Sequence, residues 1–336
     1  MAARTPAHWA RRGLPAWALW PVSCLFSMLA ALRRVLYRRG LLRVERLPVP
    51  LVVVGNIAVG GSGKTPVVAW LAEALRTAGF RPGIISRGHG GSEEGVAVVS
   101  EPGDPARFGD EPVLLAQLTA CPVAVGRDRP AAGRALLAAH PDVNVLISDD
   151  GLQHYRLARD VEVIVVDGKV LGNRLRLPAG PLREGLARLA EADILIAHGE
   201  WPADAGAAAR NVPVFGMSLE GEMLERIDGS EQRPLADFRG RRVHAVAGIG
   251  RPERFFEQLA AAGLEVVPHP FPDHHPFVAS DLDFAPGEAR ILTAKDAVKC
   301  ASFAPPETWV FPVRASIDAA ASQRIVEKLS HGSPPA

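Results

Sequence analysis

A glycine-rich segment followed by lysine and threonine carries the residue types best suited to chemistry. Residues 55–65 read GNIAVGGSGKT, and the positions suited to holding a phosphate chain are Gly60, Gly61, Ser62, Gly63, Lys64 and Thr65. In such a loop the backbone N–H groups point at the anion, the lysine reaches the outer phosphates and the threonine hydroxyl ligates Mg²⁺. Ala58 occupies the place of the usual first glycine. The segment predicts a nucleoside triphosphate site.

Two aspartates end a second apolar run. Residues 143–151 read VNVLISDDG, with the pair at Asp149 and Asp150. A buried strand that ends in acidic residues can hold Mg²⁺ directly or through water, although aspartate is also common in ordinary turns. Combined with the glycine loop, the pair predicts a metal site. His154 follows four residues after Asp150, and we expect it to lie close by.

Three further segments carry groups able to move protons or charge. Asp110 and Glu111 stand in GDEP before an apolar helix, where they also suit the dipole of a helix start. The segment FPDHH ends in His274 and His275. Arg87, in SRGHGG, either stabilises transferring charge or forms a structural ion pair. The residues alone leave these alternatives open.

The elements that must position these groups alternate between strand and helix. Residues 51–54 predict a buried strand, and the apolar period from Val67 to Ala78 predicts the helix after the loop. Further strand patterns and helix patterns follow in turn, so we predict an α/β fold, a P-loop NTPase-like, doubly wound, mostly parallel sheet with ligands at the carboxyl ends of its strands. A second, smaller α/β domain follows. The predicted parts are an N-terminal membrane-associated helix (1–45), a P-loop domain (46–220), a linker (221–235) and a C-terminal α/β domain (236–330).

Composition narrows the setting. Of the 336 residues, those from 1 to 46 hold nine arginines and one glutamate, so the basic charge sits in an N-terminal arm and not on a nucleic-acid-binding face. Three cysteines are too few and too widely spaced for a disulfide framework or a CxxC metal site. Reduced thiols and a triphosphate site agree on the cytoplasm.

The segment from Leu14 to Leu32 has no charged residue and begins with tryptophans. A membrane-embedded or interfacial anchor, a cleaved signal peptide and a buried core helix would each produce such a run. The tryptophans and the flanking arginines favour the anchor, because these residues suit the lipid headgroup region. Its 19 residues leave open whether it spans the membrane.

A phosphate-binding loop alone does not choose between a kinase, an ATPase and a GTPase switch. The nearest stretch to a guanine-reading motif, Thr293 to Asp296, has the wrong spacing. Membrane-partitioning ATPases carry a signature lysine at the position that Val59 occupies here. The rival class to a kinase is a membrane-bound ATPase switch with a protein partner.

Seven motifs in the same order resemble the tetraacyldisaccharide 4′-kinase family of lipid A biosynthesis, from about residue 50 to residue 300. They are GNIAVGGSGKTP, SRGHGG, GDEP, SDDGLQH, GNRLRLPAGPLRE, FPDHH and LTAKDAVK. His89 replaces the tyrosine usual in the second motif, and Ala294 stands where an acidic residue is common.

The resemblance implies transfer of the γ-phosphoryl group of ATP to the 4′-hydroxyl of a tetraacyldisaccharide 1-phosphate, which yields lipid IVA. It also implies Mg²⁺, a lipid disaccharide substrate, the membrane surface as a partner, and work at the cytoplasmic face of the cell inner membrane. By resemblance Asp110 is the base, assisted by a histidine of FPDHH, and we favour His274 over His275. Arg183 and Glu184 would contact the nucleotide or the lipid headgroup.

Overall fold

The computed structural model describes residues 6–100 and 103–331, so the first five residues of the predicted segment 1–45 lie outside the described residues. Within these ranges the chain builds a nine-stranded sheet and a six-stranded sheet, each with packed helices, and an N-terminal apolar helix. The predicted fold class is confirmed.

The bounds of the elements follow in chain order. The strands are β1 (Leu51–Gly55), β2 (Pro82–Ser86), β3 (Ala97–Val98), β4 (Val123–Val125), β5 (Val145–Asp149), β6 (Val161–Asp167), β7 (Ile194–His198), β8 (Val214–Glu220), β9 (Met223–Arg226), β10 (Gln232–Pro234), β11 (Arg242–Ala247), β12 (Glu265–Pro270), β13 (Ala289–Thr293), β14 (Thr308–Phe311) and β15 (Arg314–Ile317). The α-helices are α1 (Leu14–Arg38), α2 (Lys64–Thr77), α3 (Pro105–Phe108), α4 (Asp110–Thr119), α5 (Arg129–Ala139), α6 (Ala203–Ala209), α7 (Pro252–Ala261), α8 (Ala294–Cys300) and α9 (Ala319–His331).

The larger sheet has the order β15-β8-β7-β6-β1-β5-β2-β4-β3 and is parallel except where β15 and β3 pair at its two edges. Its central strand β1 is buried along its whole length. Val52 and Val54 pack in the core that α2 covers, while Leu51 and Val53 pack in the core on the opposite face. Parallel strands covered on both faces read as continuous apolar runs, which is why the sequence revealed them. The glycine loop follows the carboxyl end of β1 and Asp149 ends β5, so both lie on the same side of the sheet.

The smaller sheet has the order β10-β9-β14-β13-β11-β12. One face packs in a core that includes Phe238 and Trp309, whose rings meet edge to face with centroids 5.2 Å apart. The loop after β11 contacts the glycine loop of the larger sheet's unit. Gly250 lies so close to Gly61 that a Cβ atom on Gly250 would be 3.0 Å from the Gly61 nitrogen.

The chain divides between the two sheets differently from the predicted domain limits. The predicted linker 221–235 contains the antiparallel pair β9 and β10, which belongs to the smaller sheet. The smaller unit ends before the predicted limit of residue 330. Strand β15 pairs with β8 of the larger sheet, and α9 packs in the core beside α2. Strands β10 and β15 escaped prediction because they are short and lie at sheet edges, where exposed polar residues replace the apolar pattern.

Helix α1 is docked along the surface of the larger sheet's unit. The hydroxyl of Ser23, in the middle of α1, donates to the carbonyl of Arg176 at 2.9 Å and accepts from the amide of Ala179 at 2.9 Å. Near its end, Arg38 forms an ion pair with Glu191 at 2.6 Å. The face turned away from these contacts is apolar and exposed, and includes Trp17, Val22, Leu25, Met28, Leu29 and Leu32. Among the described residues, α1 is the one helix that is long and apolar enough to cross a membrane.

Candidate active site

One large cleft of about 1430 Å³ lies between the two sheets and extends to α1. Its wall includes the glycine loop, the Asp149–Asp150 pair and Arg183 from the larger sheet's unit. The smaller sheet's unit contributes Arg254, His274 and Lys295. Residues distant in the sequence therefore meet at one opening.

The glycine loop is preformed between β1 and α2. Gly60 and Gly63 have φ values of 123° and 88°, which side-chain-bearing residues rarely adopt. The Asn56 amide donates to the Ser62 hydroxyl at 2.9 Å. Behind the loop, the carbonyl of Ile57 accepts from the amide of Arg183 at 2.7 Å. The loop is held open around the start of α2, where the N-terminal N–H groups of a helix lack intrahelical partners and attract anions.

The aspartate pair lies directly beside Lys64. The Lys64 Nζ is 3.7 Å from Asp150 Oδ1, and Arg183 donates to both oxygens of Asp150, at 3.0 and 2.8 Å. Asp149 is buried, and the Ser86 hydroxyl donates to it at 3.2 Å. Burial, reinforced by the negative charges of Glu111 and Asp150, raises the pKa of Asp149 to about 7. This carboxylate is short of positive charge, which is the condition that a divalent cation would relieve.

A second pair joins the two units. His274, on the loop after β12, places its Nδ1 3.0 Å from Oδ2 of Asp110, which begins α4. Burial alone would raise the pKa of Asp110, but the hydrogen bond from His274 and the charge of Lys295 outweigh it and lower the pKa to about 2. The same hydrogen bond raises the pKa of His274. The imidazole lines the cleft, whereas Asp110 is only 6% exposed and lies behind it.

The structure separates the two candidate histidines. His275 turns away from Asp110 and places its Nε2 2.8 Å from Asp281. His274 is thus the histidine of FPDHH that pairs with Asp110, in agreement with the order of preference from the sequence.

Of the other residues that the sequence suggested for the site, Arg87 and Glu184 line the cleft and His154 does not. Glu184 accepts from the Tyr155 hydroxyl at 2.6 Å. The neighbours of His154, Gln153 and Tyr155, also line the cleft. Burial, with surrounding arginines, lowers the pKa of His154 to about 4, which favours the neutral imidazole near pH 7.

Several charged residues at the site were not assigned from the sequence. Lys295 lies 3.0 Å from Glu111, and both line the cleft. On the other side, Arg251 and Arg254 of the smaller unit each lie 2.9 Å from the buried Asp167 at the end of β6. The motif LTAKDAVK contained Lys295, but a lysine in the first turn of a helix is typical of a solvated surface and gave no signal of burial.

Among the described residues no group of three or more His, Cys, Asp and Glu side chains is arranged to hold a metal by itself. Mg²⁺ at nucleotide sites needs less, since one or two carboxylates and phosphate oxygens suffice. The raised pKa of the buried Asp149, which lines the same cleft as Thr65 and Asp150, fits such a shared site.

A glycine loop at a helix start, an aspartate pair and a histidine–aspartate pair around one cleft define a nucleotide-dependent phosphotransferase. The model of the tetraacyldisaccharide-1-P 4′-kinase family (LpxK) matches residues 15–330. The chain belongs to this family.

Individual relatives agree along the whole length. A tetraacyldisaccharide 4′-kinase of Aromatoleum aromaticum is 64% identical over 336 residues and is covered completely, as is this chain. One from an Azoarcus species is 62% identical, over 98% of this chain and 97% of its own. The crystal structure of LpxK from Aquifex aeolicus in complex with ATP has a TM-score of 0.79 at 32% identity, and the match covers 94% of this chain and 99% of that one.

Proposed function

We propose that the chain transfers the γ-phosphoryl group of ATP to the 4′-hydroxyl of a tetraacyldisaccharide 1-phosphate, giving lipid IVA in lipid A biosynthesis. Membership of the 4′-kinase family along 15–330 supports the reaction, and the Aquifex relative is a complex with ATP. The single observation that carries the assignment within the molecule is the opening of the glycine loop and of His274 onto the same cleft.

The larger unit holds the nucleotide in this proposal. The N–H groups of residues 60–65 and the Lys64 ammonium face the phosphates, and Arg183 adds a second cation at Asp150. Thr65 and the pair Asp149 and Asp150 are the groups suited to hold Mg²⁺. When bound there, the ion would neutralise charge on the phosphate oxygens. Transfer then depends mainly on holding the hydroxyl and the phosphorus in line.

The division of labour between Asp110 and His274 follows from their places and their pKa values. The sequence resemblance assigns the base to Asp110, but that carboxylate lies behind the ring, and its pKa of about 2 makes it a weak acceptor. His274 lines the cleft and its pKa is raised. A base whose pKa lies near the working pH is more effective. We therefore propose that His274 accepts the hydroxyl proton while Asp110 orients the ring and stabilises its charged form.

Labelled ATP and a lipid disaccharide test the reaction. Label should appear in the lipid with the native chain and fall by about two to four decades in His274→Gln, the usual contribution of a positioned base. His275→Gln is the matched control, because its partner is Asp281 and not Asp110. Phosphate released from ATP without labelled lipid would instead support an ATPase switch.

The pH dependence separates the two roles. His274 is active as a base when neutral, so activity falls as the pH drops through its pKa. Asp110→Asn removes the charge that raises this pKa, so the acid limb of kcat/KM should move to lower pH while kcat falls. If Asp110 were the base itself, Asp110→Asn would abolish transfer at every pH. His274→Gln would then move the acid limb to higher pH, because it removes the hydrogen bond that lowers the pKa of Asp110.

We also propose that α1 lies in the membrane interface, at the cytoplasmic face of the inner membrane. A helix that crossed the bilayer would place Ser23 near the centre of its span and draw the backbone at Arg176 and Ala179 into hydrocarbon. Polar backbone groups without partners are costly there, by several kcal/mol each. A helix lying flat keeps these bonds and buries its exposed apolar face, while its arginines meet anionic headgroups.

A further inference from the structure

Lys295 stands at the junction of the groups that handle the proton. Its Nζ is 3.0 Å from Glu111 Oε1 and 3.3 Å from His274 Nε2. It is also 3.6 Å from Asp273 and 3.9 Å from Asp110. Its side chain is 16% exposed, so these partners, and not water, supply most of its surroundings.

The position of Lys295 is fixed by the start of α8. The Thr293 hydroxyl caps this helix by accepting from the Asp296 amide. The Asp296 carboxylate in turn accepts from the amide of Gly248, after β11, at 2.9 Å. Helix α8 also packs against α4, which carries Asp110 and Glu111. The capping and packing of α8 therefore fix the position of Lys295 beside His274.

The contacts of the ring favour one tautomer of His274, because the ammonium of Lys295 lies nearer to Nε2, at 3.3 Å, than Asp273 Oδ1 does, at 3.9 Å. An ammonium group has donors and no acceptor, so an Nε2 that faces it at 3.3 Å presents its lone pair. The single ring proton is then on Nδ1, which donates to Asp110 Oδ2 at 3.0 Å. A base for the hydroxyl accepts the proton on this lone pair, so the hydroxyl takes the place of the ammonium, which keeps its nearer partner Glu111 at 3.0 Å.

The charges around the ring act in opposite directions. Asp110 from α4 and Asp273 from the same loop raise the pKa of His274, while Lys295 lowers it. Glu111 lies beside Lys295, Lys299 contacts the carbonyl of His275, and the ring of His89 meets that of His274 edge to face at 5.3 Å. Among these groups Lys295 is the cation in contact with the ring itself.

We propose that Lys295 is a positioning residue that keeps His274 as the neutral Nδ1–H tautomer with its lone pair on Nε2. The inference rests on the proposed role of His274 as base. On reaction, the hydroxyl proton moves to Nε2 as the oxygen bonds to phosphorus and ADP leaves. The imidazolium then stands beside the ammonium, and their repulsion promotes loss of the proton to solvent. Lys295 thus favours the neutral form of His274 before the reaction and the loss of the transferred proton after it.

The pH profile of kcat/KM tests this with two variants. Lys295→Met removes the cation, so the acid limb should move up by about one pH unit, with a roughly tenfold deficit at low pH that vanishes at high pH. Lys295→Arg retains the charge, so its acid limb should stay near that of the native chain even if kcat falls. A deficit in Lys295→Met that is equal at every pH, or an unshifted limb, would overturn the proposal.

A measurement on the native chain covers the case in which Lys295→Met does not fold. Imidazole ¹⁵N shifts, assigned to His274 by comparison with His274→Gln, should show a protonated Nδ1 and an unprotonated Nε2 above the pKa. The opposite tautomer would contradict the inference. Undiminished transfer by His274→Gln would instead remove the proposed base, whatever the tautomer, so the two failures are distinguishable.

Discussion

Gly109 joins α3 to α4 and packs against the SRGHGG loop, and its replacement by alanine should displace Asp110. Gly109 has φ 91° and ψ 152°, a region essentially restricted to glycine. A Cβ there would lie 2.6 Å from the carbonyl oxygen of His89. Real Cβ contacts do not fall below 3.0 Å, so loop and helix must separate by about 0.4 Å, the difference between these distances.

The expected effect follows from that displacement. If Asp110 moves away from His274 by the same amount, their 3.0 Å bond lengthens to about 3.4 Å, beyond the range of a good hydrogen bond. Misplacement of 1 Å can lower a rate by about a hundredfold, so we expect Gly109→Ala to lower kcat roughly tenfold. The strained backbone should also lower the free energy of unfolding by about 1–3 kcal/mol.

Gly90→Ala is the matched control. Gly90 lies in the same loop with φ 83°, but a Cβ there would meet no atom within 4 Å. It should therefore show the backbone strain without the displacement. The assay is transfer of label from ATP to the lipid disaccharide, with thermal unfolding measured on both variants. A kcat for Gly109→Ala equal to that of Gly90→Ala would refute the reasoning, since strain alone would then explain both.

Three further predictions concern the membrane face and the two cores. Cys24 is exposed on α1 while Cys121 and Cys300 are buried, so maleimide should label Cys24 alone, and anionic vesicles should slow that labelling; equal rates with and without vesicles would contradict an interfacial helix. Phe238→Ala should lower the free energy of unfolding by about 3–5 kcal/mol in denaturant titration, because the ring is 1% exposed. Arg129→Met should lower it by about 2–4 kcal/mol, since the buried guanidinium donates to two carbonyls, at 2.9 and 3.0 Å; a change below 1 kcal/mol would mean water replaces it.

The sequence predicted the parts of the fold whose pattern is local. Strand β1 and helix α2 carry continuous and 3.6-residue apolar patterns, and both lie where expected. Strand β8 was missed because its burial alternates and its partner β15 lies about a hundred residues away in the chain. No local pattern records such a pairing.

The site shows the same division. Lys64 and the aspartate pair follow directly from strand ends, and the structure brings Lys64 within 3.7 Å of Asp150. The pairing of Asp110 with His274 spans 164 residues and came from family resemblance, not from spacing. Lys295 went unassigned because its burial depends on α4 packing against α8, which depends on the whole tertiary arrangement.

The return of β15 to the larger sheet makes the smaller sheet an insertion. Glu220 and Arg314 are cross-strand partners, so residues 221–313 leave and rejoin the larger unit at one place. A short turn joining those two residues would leave the edge pair β8–β15 as an ordinary hairpin. Such an excised chain would keep every residue assigned to gripping the triphosphate and lose His274 and Lys295 together. On the proposed assignment, the larger unit holds ATP and the inserted unit supplies the groups that make the protein a transferase.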